Sequence, residues 1–169
     1  MDATARQDLI HRLSALRRSI DRLMQLQEAQ VASIRAKPPF GDYTDDRQNL
    51  SSETESQVEV VLNDANNLRR ALGPVPSLRA PFDDELRTVR HVRNIREHWD
   101  KSRHFWSEGA AIPSNREFES ARWFKKHFPN KVPWSWSWSN LDGLVICGVI
   151  RITNLVDMLD QLDQRVRMD

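Results

Sequence analysis

The chain has 169 residues, 39% of them apolar and 29% charged, enough to bury a core and too apolar for a globally disordered protein. Its 25 lysines and arginines nearly cancel its 24 acids, so a net charge of +1 excludes a uniformly basic nucleic-acid binder and leaves room only for a local basic footprint. A single cysteine, Cys147, excludes an internal disulfide and a cysteine-based zinc site; within Leu144-Val145-Ile146-Cys147 it reads as a small buried hydrophobe.

The N-terminus begins Met1-Asp2-Ala3-Thr4-Ala5-Arg6 and has no apolar signal core. No stretch approaches the roughly 18 apolar residues of a membrane span, so a cytosolic (cytoplasmic) address and no membrane partner are expected. Leu9, Leu13, Leu16, Ile20 and Leu23 recur at steps of four and three, which predicts a helix over about 4–35 packed at a shallow angle. Gln27 and Gln30 take seam positions before Ile34, so packing there should loosen. Lys37-Pro38-Pro39-Phe40-Gly41 ends the helix, and the polar residues through Leu50 read as a loop.

Ser51-Ser52-Glu53-Thr54-Glu55 resembles a helix start, and Val58, Val61, Leu62, Ala65, Leu68 and Leu72 form a buried stripe closed by Gly73-Pro74. A third helix, about 81–106, should begin at Pro81-Phe82-Asp83-Asp84-Glu85, with acids near the positive end of its dipole. Its apolar line is Phe82, Leu86, Val89, Val92, Ile95 and Trp99. Gly109 to Asn115 reads as a loop and 117–128 as a short helix.

Trp134-Ser135-Trp136-Ser137-Trp138 has a strict period of two, Asn140-Leu141-Asp142-Gly143 is a turn, and Leu144 to Ile152 is rich in β-branched residues. Together these predict a β-hairpin over about 134–152; the competing reading makes Leu144 onward part of the last helix. Thr153 would cap a final helix, about 153–167, with Leu155, Leu159, Leu162 and Val166 inward. The expected fold is therefore mainly α: one domain over 1–169, a four-to-five-helix bundle carrying a small Trp-rich hairpin.

No glycine-rich phosphate loop, nucleophile elbow or metal-ligand spacing is present, so neither a metal nor a cofactor is expected. His91-Val92-Arg93-Asn94-Ile95-Arg96-Glu97-His98 stands apart. Arginine stays charged and grips phosphate with a planar fork, and histidine titrates where a general base or acid must. At about 100° per residue, Asn94 and His98 share a helical stripe while Arg93 lies roughly 140° from His98. The same residue types also make an ordinary solvated face, with Arg93 and Glu97 at ion-pair spacing.

The run Arg93-Asn94, three residues, His98 resembles the signature of the HEPN superfamily, an arginine followed by a polar residue with a histidine four to six positions beyond. The resemblance covers the helices and implies a helical bundle, a homodimer with two motifs in one cleft, and a metal-independent endoribonuclease acting as a toxin or phage-defence effector. It makes Arg93, Asn94 and His98 the catalytic candidates, RNA the substrate, and an antitoxin or regulatory protein a partner. The tyrosine found two places after the histidine in toxins paired with a minimal nucleotidyltransferase antitoxin is Asp100 here, so that subgroup is not implied. Arg87, Arg90, Arg96, Lys101 and Arg103, with His104, form a candidate surface for RNA phosphates. His91, two turns before His98 on the same stripe, could assist it but reads as solvated, and the Trp134/Trp136/Trp138 ladder could stack bases but reads as cover for the bundle edge or a dimer seam. The alternative from another class is a non-catalytic helical scaffold or regulatory partner.

Overall fold

Leucine and isoleucine at alternating steps of three and four wind residues Ala3–Arg35 into one long helix, α1, burying Leu9, Leu13, Leu16, Ile20 and Leu23. The computed structural model describes residues 1–35, 45–107, 109–133, 136–139 and 143–168. Beyond Leu23 the seam turns polar as expected: Gln27 is buried, and the Oε1 atoms of Gln27 and Gln30 find no hydrogen-bond partner among the described residues.

The second helix, α2, spans Asp45–Ala71, six residues longer at its start than the serine-capped helix expected. The expected loop therefore ends before Leu50, and its stop at Lys37 to Gly41 lies outside the described residues. No glycine or proline interrupts 45–51, and the hydroxyls downstream bond back into the helix instead of capping it. Thr54 Oγ1 donates to the Leu50 carbonyl at 2.7 Å and Ser56 Oγ to that of Ser52 at 2.9 Å. Val58, Val61, Leu62, Ala65, Leu68 and Leu72 face inward, and α1 packs along α2.

A short helix, α3 (Pro76–Arg79), and a 3₁₀ turn over Ala80–Phe82 lead into α4 (Asp83–Glu97), whose first turn holds Asp83, Asp84 and Glu85. The single helix expected through Trp106 does not form. His98 breaks it at φ −119°, ψ 33°, and two one-turn helices follow, α5 (Trp99–Ser102) and α6 (His104–Ser107). Aromatic packing overrides the local helical preference. The chain bends so that Phe105, 1% exposed, meets Phe118 edge-on at 5.1 Å and Trp106 meets Phe124 at 6.2 Å.

A 3₁₀ turn at Arg116–Phe118 opens α7 (Glu119–His127). Then come β1 (Trp136–Ser139) and β2 (Gly143–Ile146), antiparallel with Trp136 opposite Ile146 and Trp138 opposite Leu144. The expected hairpin is present; Trp134 and turn residues Asn140 to Asp142 lie outside the described residues. The β-branched run does not continue as one strand. Cys147 at φ 54° and Gly148 at φ 65° are the central residues of a turn closed by Val149 N–H on the Ile146 carbonyl at 3.1 Å. It returns the chain as β3 (Ile150–Arg151), with Ile150 opposite Ile146.

The last helix, α8, runs Ile152–Met168, so Thr153 sits inside its first turn instead of at the cap, and the competing reading of a helix from Leu144 fails. Leu155, Leu159, Leu162 and Val166 are buried, and α8 packs on α1 and the sheet. The architecture is mainly α, with α4 placed centrally between α2 and α7. No helix among the described residues is long and apolar enough to cross a membrane.

Candidate functional site

The apolar period of α4 sends Leu86, Val89, Val92 and Ile95 into the core and leaves Arg90 and Asn94 on a neighbouring face. One turn beyond Asn94 the helix breaks, and His98 stands exposed at the break with no side-chain hydrogen bond among the described residues. Against this face lies the start of α7. Between them is a cleft of about 220 Å³, with Arg90, Asn94 and His98 on one wall and Arg116, Glu117, Phe118, Glu119 and Ser120 on the other.

Asn94 and His98 are thus brought together, as their shared stripe predicts. Arg93 is not among the residues lining this cleft. Its guanidinium fork closes on Glu97, with Nη2 to Oε1 at 3.0 Å and Nη1 to Oε2, and its Nε donates to Asn63 of α2 at 3.0 Å. The ordinary i,i+4 ion pair anticipated from spacing is therefore formed, and Arg93 touches the site only through Asn94 Oδ1, 3.4 Å from Nη1.

The basic candidates separate. Arg90 lines the cleft and has no carboxylate at ion-pair distance among the described residues. Arg87 is exposed beside Asp84 at 3.8 Å, Lys101 is held by Glu117 at 2.8 Å, and Arg103 is exposed. Arg96 does not belong to a phosphate-binding surface: its side chain is 3% exposed and bonds Glu55 at 2.8 Å and Glu59 at 2.5 Å. Periodicity assigns α4 one core face, whereas α2 and α7 cover it from two directions.

Burial corrects the reading of His91 for the same reason. It is 3% exposed, its Nδ1 lies 3.0 Å from Ser120 Oγ, and its ring stacks on Trp123 at 4.2 Å, which in turn stacks on His127 at 4.3 Å. Burial, then Arg90, pushes its pKa down to about 4; Arg87 and His127 act the same way and Glu119 opposes them. His91 is therefore neutral at physiological pH.

A pH-dependent stability follows. Above about 6.5 the unfolded ring is neutral too, and the contribution is complete. As pH falls from 6.5 toward 4, the unfolded chain takes up a proton that the folded one refuses, so stability is lost through that window. The loss attributable to His91 by pH 4 is about 3 kcal/mol. Denaturant unfolding at pH 7 and pH 4 should show that much less pH dependence in His91→Gln; equal dependence in both proteins contradicts the assignment.

Arg116 and Ser120 were not legible as site residues. Neither carries a motif, and Ser120 comes to Asn94 from 26 residues away, Nδ2 to Oγ at 3.4 Å. Only the position of Glu117 and Glu119 at a helix start marks the region in sequence. Among the described residues, no group of three or more His, Cys, Asp or Glu is placed to hold a metal ion. Family models, curated proteins and solved structures yield no match to this chain.

Proposed function

We propose that the chain is a metal-independent endoribonuclease centred on His98 and Asn94, with Arg90 and Arg116 as its phosphate-binding cations. One observation carries this reading: an exposed histidine without a hydrogen-bond partner shares a cleft with two arginines that have no carboxylate at ion-pair distance among the described residues. Local charge supports it. Residues 87–131 hold eleven lysines and arginines against five acids, a net +6 within a chain of net +1, and four of the five histidines.

The chemistry needs a base, charge stabilisation and positioning. His98 takes the 2′-hydroxyl proton and the 2′ oxygen bonds to phosphorus. The P–O5′ bond breaks, and the leaving 5′ oxygen takes a proton from water. A 2′,3′-cyclic phosphate and a 5′-hydroxyl result. Arg90 and Arg116 offset charge on the phosphorane oxygens.

Arg90→Gln and Arg116→Gln should each raise the KM for RNA about tenfold and flatten the dependence of binding on salt by about one unit of log–log slope. Unchanged KM and unchanged salt slope in both variants would remove the cleft from the account.

A homodimer belongs to the same proposal. Arg93 lies outside its own chain's cleft, so the route for it to a reacting phosphate is through a second copy. Mixing Arg93→Ala with His98→Ala chains should then rebuild one intact site per heterodimer and recover cleavage; a mixture as inactive as its components counts against sharing. A toxin or phage-defence role would appear as growth arrest on overexpression that His98→Ala relieves. The closure of Arg93 on Glu97 favours a second reading, a non-catalytic helical interaction protein, in which wild type and His98→Ala behave alike.

A further inference from the structure

Three hydrogen bonds run in series from the motif arginine into the core. Arg93 Nη1 reaches Asn94 Oδ1 at 3.4 Å, Asn94 Nδ2 reaches Ser120 Oγ at 3.4 Å, and Ser120 Oγ lies 3.0 Å from His91 Nδ1. Their chemistry fixes the direction of the first two links, and the His91 tautomer sets the third. A guanidinium donates and never accepts, so the Asn94 atom facing Arg93 is the oxygen, and the amide nitrogen faces Ser120. That nitrogen also only donates, so Ser120 Oγ accepts from it and keeps its own hydrogen, which a bare His91 Nδ1 accepts. Neutral His91 with its proton on Nε2 takes that hydrogen and continues the series into the core.

We infer that Ser120 and His91 are positioning residues that hold the Asn94 amide with an N–H toward the cleft. Nδ2 has two hydrogens. Ser120 takes one, which leaves the other for the cleft that Asn94 lines. Asn94 then presents a donor between Arg90 and Arg116, in a cleft that Glu117 and Glu119 also line, so the ligand atom seated at Asn94 is an acceptor such as a non-bridging phosphate oxygen. Asn94 is thereby assigned to phosphate recognition and not to removal of the 2′-hydroxyl proton. This role rests on the reading of the cleft proposed above; the direction of the chain does not.

The test has one arm for each. In ¹⁵N-labelled full-length protein at pH 7, the His91 ring should be the tautomer protonated on Nε2 with Nδ1 bare. Asn94 side-chain amide exchange should rise about 3- to 10-fold in Ser120→Ala and return toward wild type in Ser120→Thr. A proton on Nδ1, or unchanged Asn94 exchange in Ser120→Ala, overturns the chain. In the second arm the probe is a short single-stranded oligodeoxynucleotide, which lacks the 2′-hydroxyl and is bound without being cut. Asn94→Leu, of similar size but without the donor and without added charge, should weaken its binding about tenfold. If the oligonucleotide binds and Asn94→Leu binds it equally well, the donor role is overturned. If wild type does not bind it at all, the cleft reading fails while the first arm still decides the chain.

Discussion

Glu55→Gln combined with Glu59→Gln is expected to cost about 3–5 kcal/mol of stability, a large share of what a domain of this size has to lose. The two acids sit one turn apart on α2 and both reach Arg96 of α4, whose side chain is 3% exposed. Its Nη1 points at Cys147 Sγ, 3.9 Å away, in the turn between β2 and β3. Burial pushes the Cys147 thiol up to about 12, so it is neutral at physiological pH and supplies no counter-charge there. Neutralising both glutamates removes the two carboxylates that reach this buried cation from α2. Adding Arg96→Met to the double variant removes the buried charge and should recover most of the loss, since an apolar replacement of a buried ionic group is often neutral or better. Denaturant midpoints of the double and triple variants check both statements. A double variant within about 1 kcal/mol of wild type would mean that water reaches Arg96.

Much of the bundle was legible because its helices announce themselves by a single apolar stripe. The seam from Leu9 to Leu23 and the Leu155 to Val166 line of α8 face the core as their spacing requires, and the hairpin follows from the period-two run. What periodicity misses is a helix covered from two directions. On α4, Arg96 and His91 occupy positions that read as solvent-facing, yet α2 supplies two carboxylates for one and α7 supplies Ser120 and Trp123 for the other. Those partners are distant in sequence, 37 and 41 residues from Arg96 and 29 from His91.

The break at His98 is likewise a tertiary effect, since nothing in Glu97-His98-Trp99 stops a helix on its own. It bears on the proposed site, because it falls at the motif residue to which the proposal gives the substrate's proton. The cations of the cleft follow the same pattern. Arg90 was legible as a basic residue on α4, whereas Arg116 arrives from the far wall through a 3₁₀ turn that no motif marks.

His98→Ala should lower RNA cleavage by the purified protein about a thousandfold, the range expected when a general base is removed. The substitution removes an exposed imidazole that makes no hydrogen bond among the described residues, so it should leave stability unchanged within about 0.5 kcal/mol. Loss of activity would then report chemistry and not unfolding. The decisive measurement is cleavage of RNA in excess chelator by wild type and His98→Ala, with the product ends identified. The account predicts that wild type cuts with no metal present and leaves a 2′,3′-cyclic phosphate, while His98→Ala does not cut at a measurable rate. Cleavage that chelator abolishes and magnesium restores, or equal behaviour of the two proteins, would contradict it.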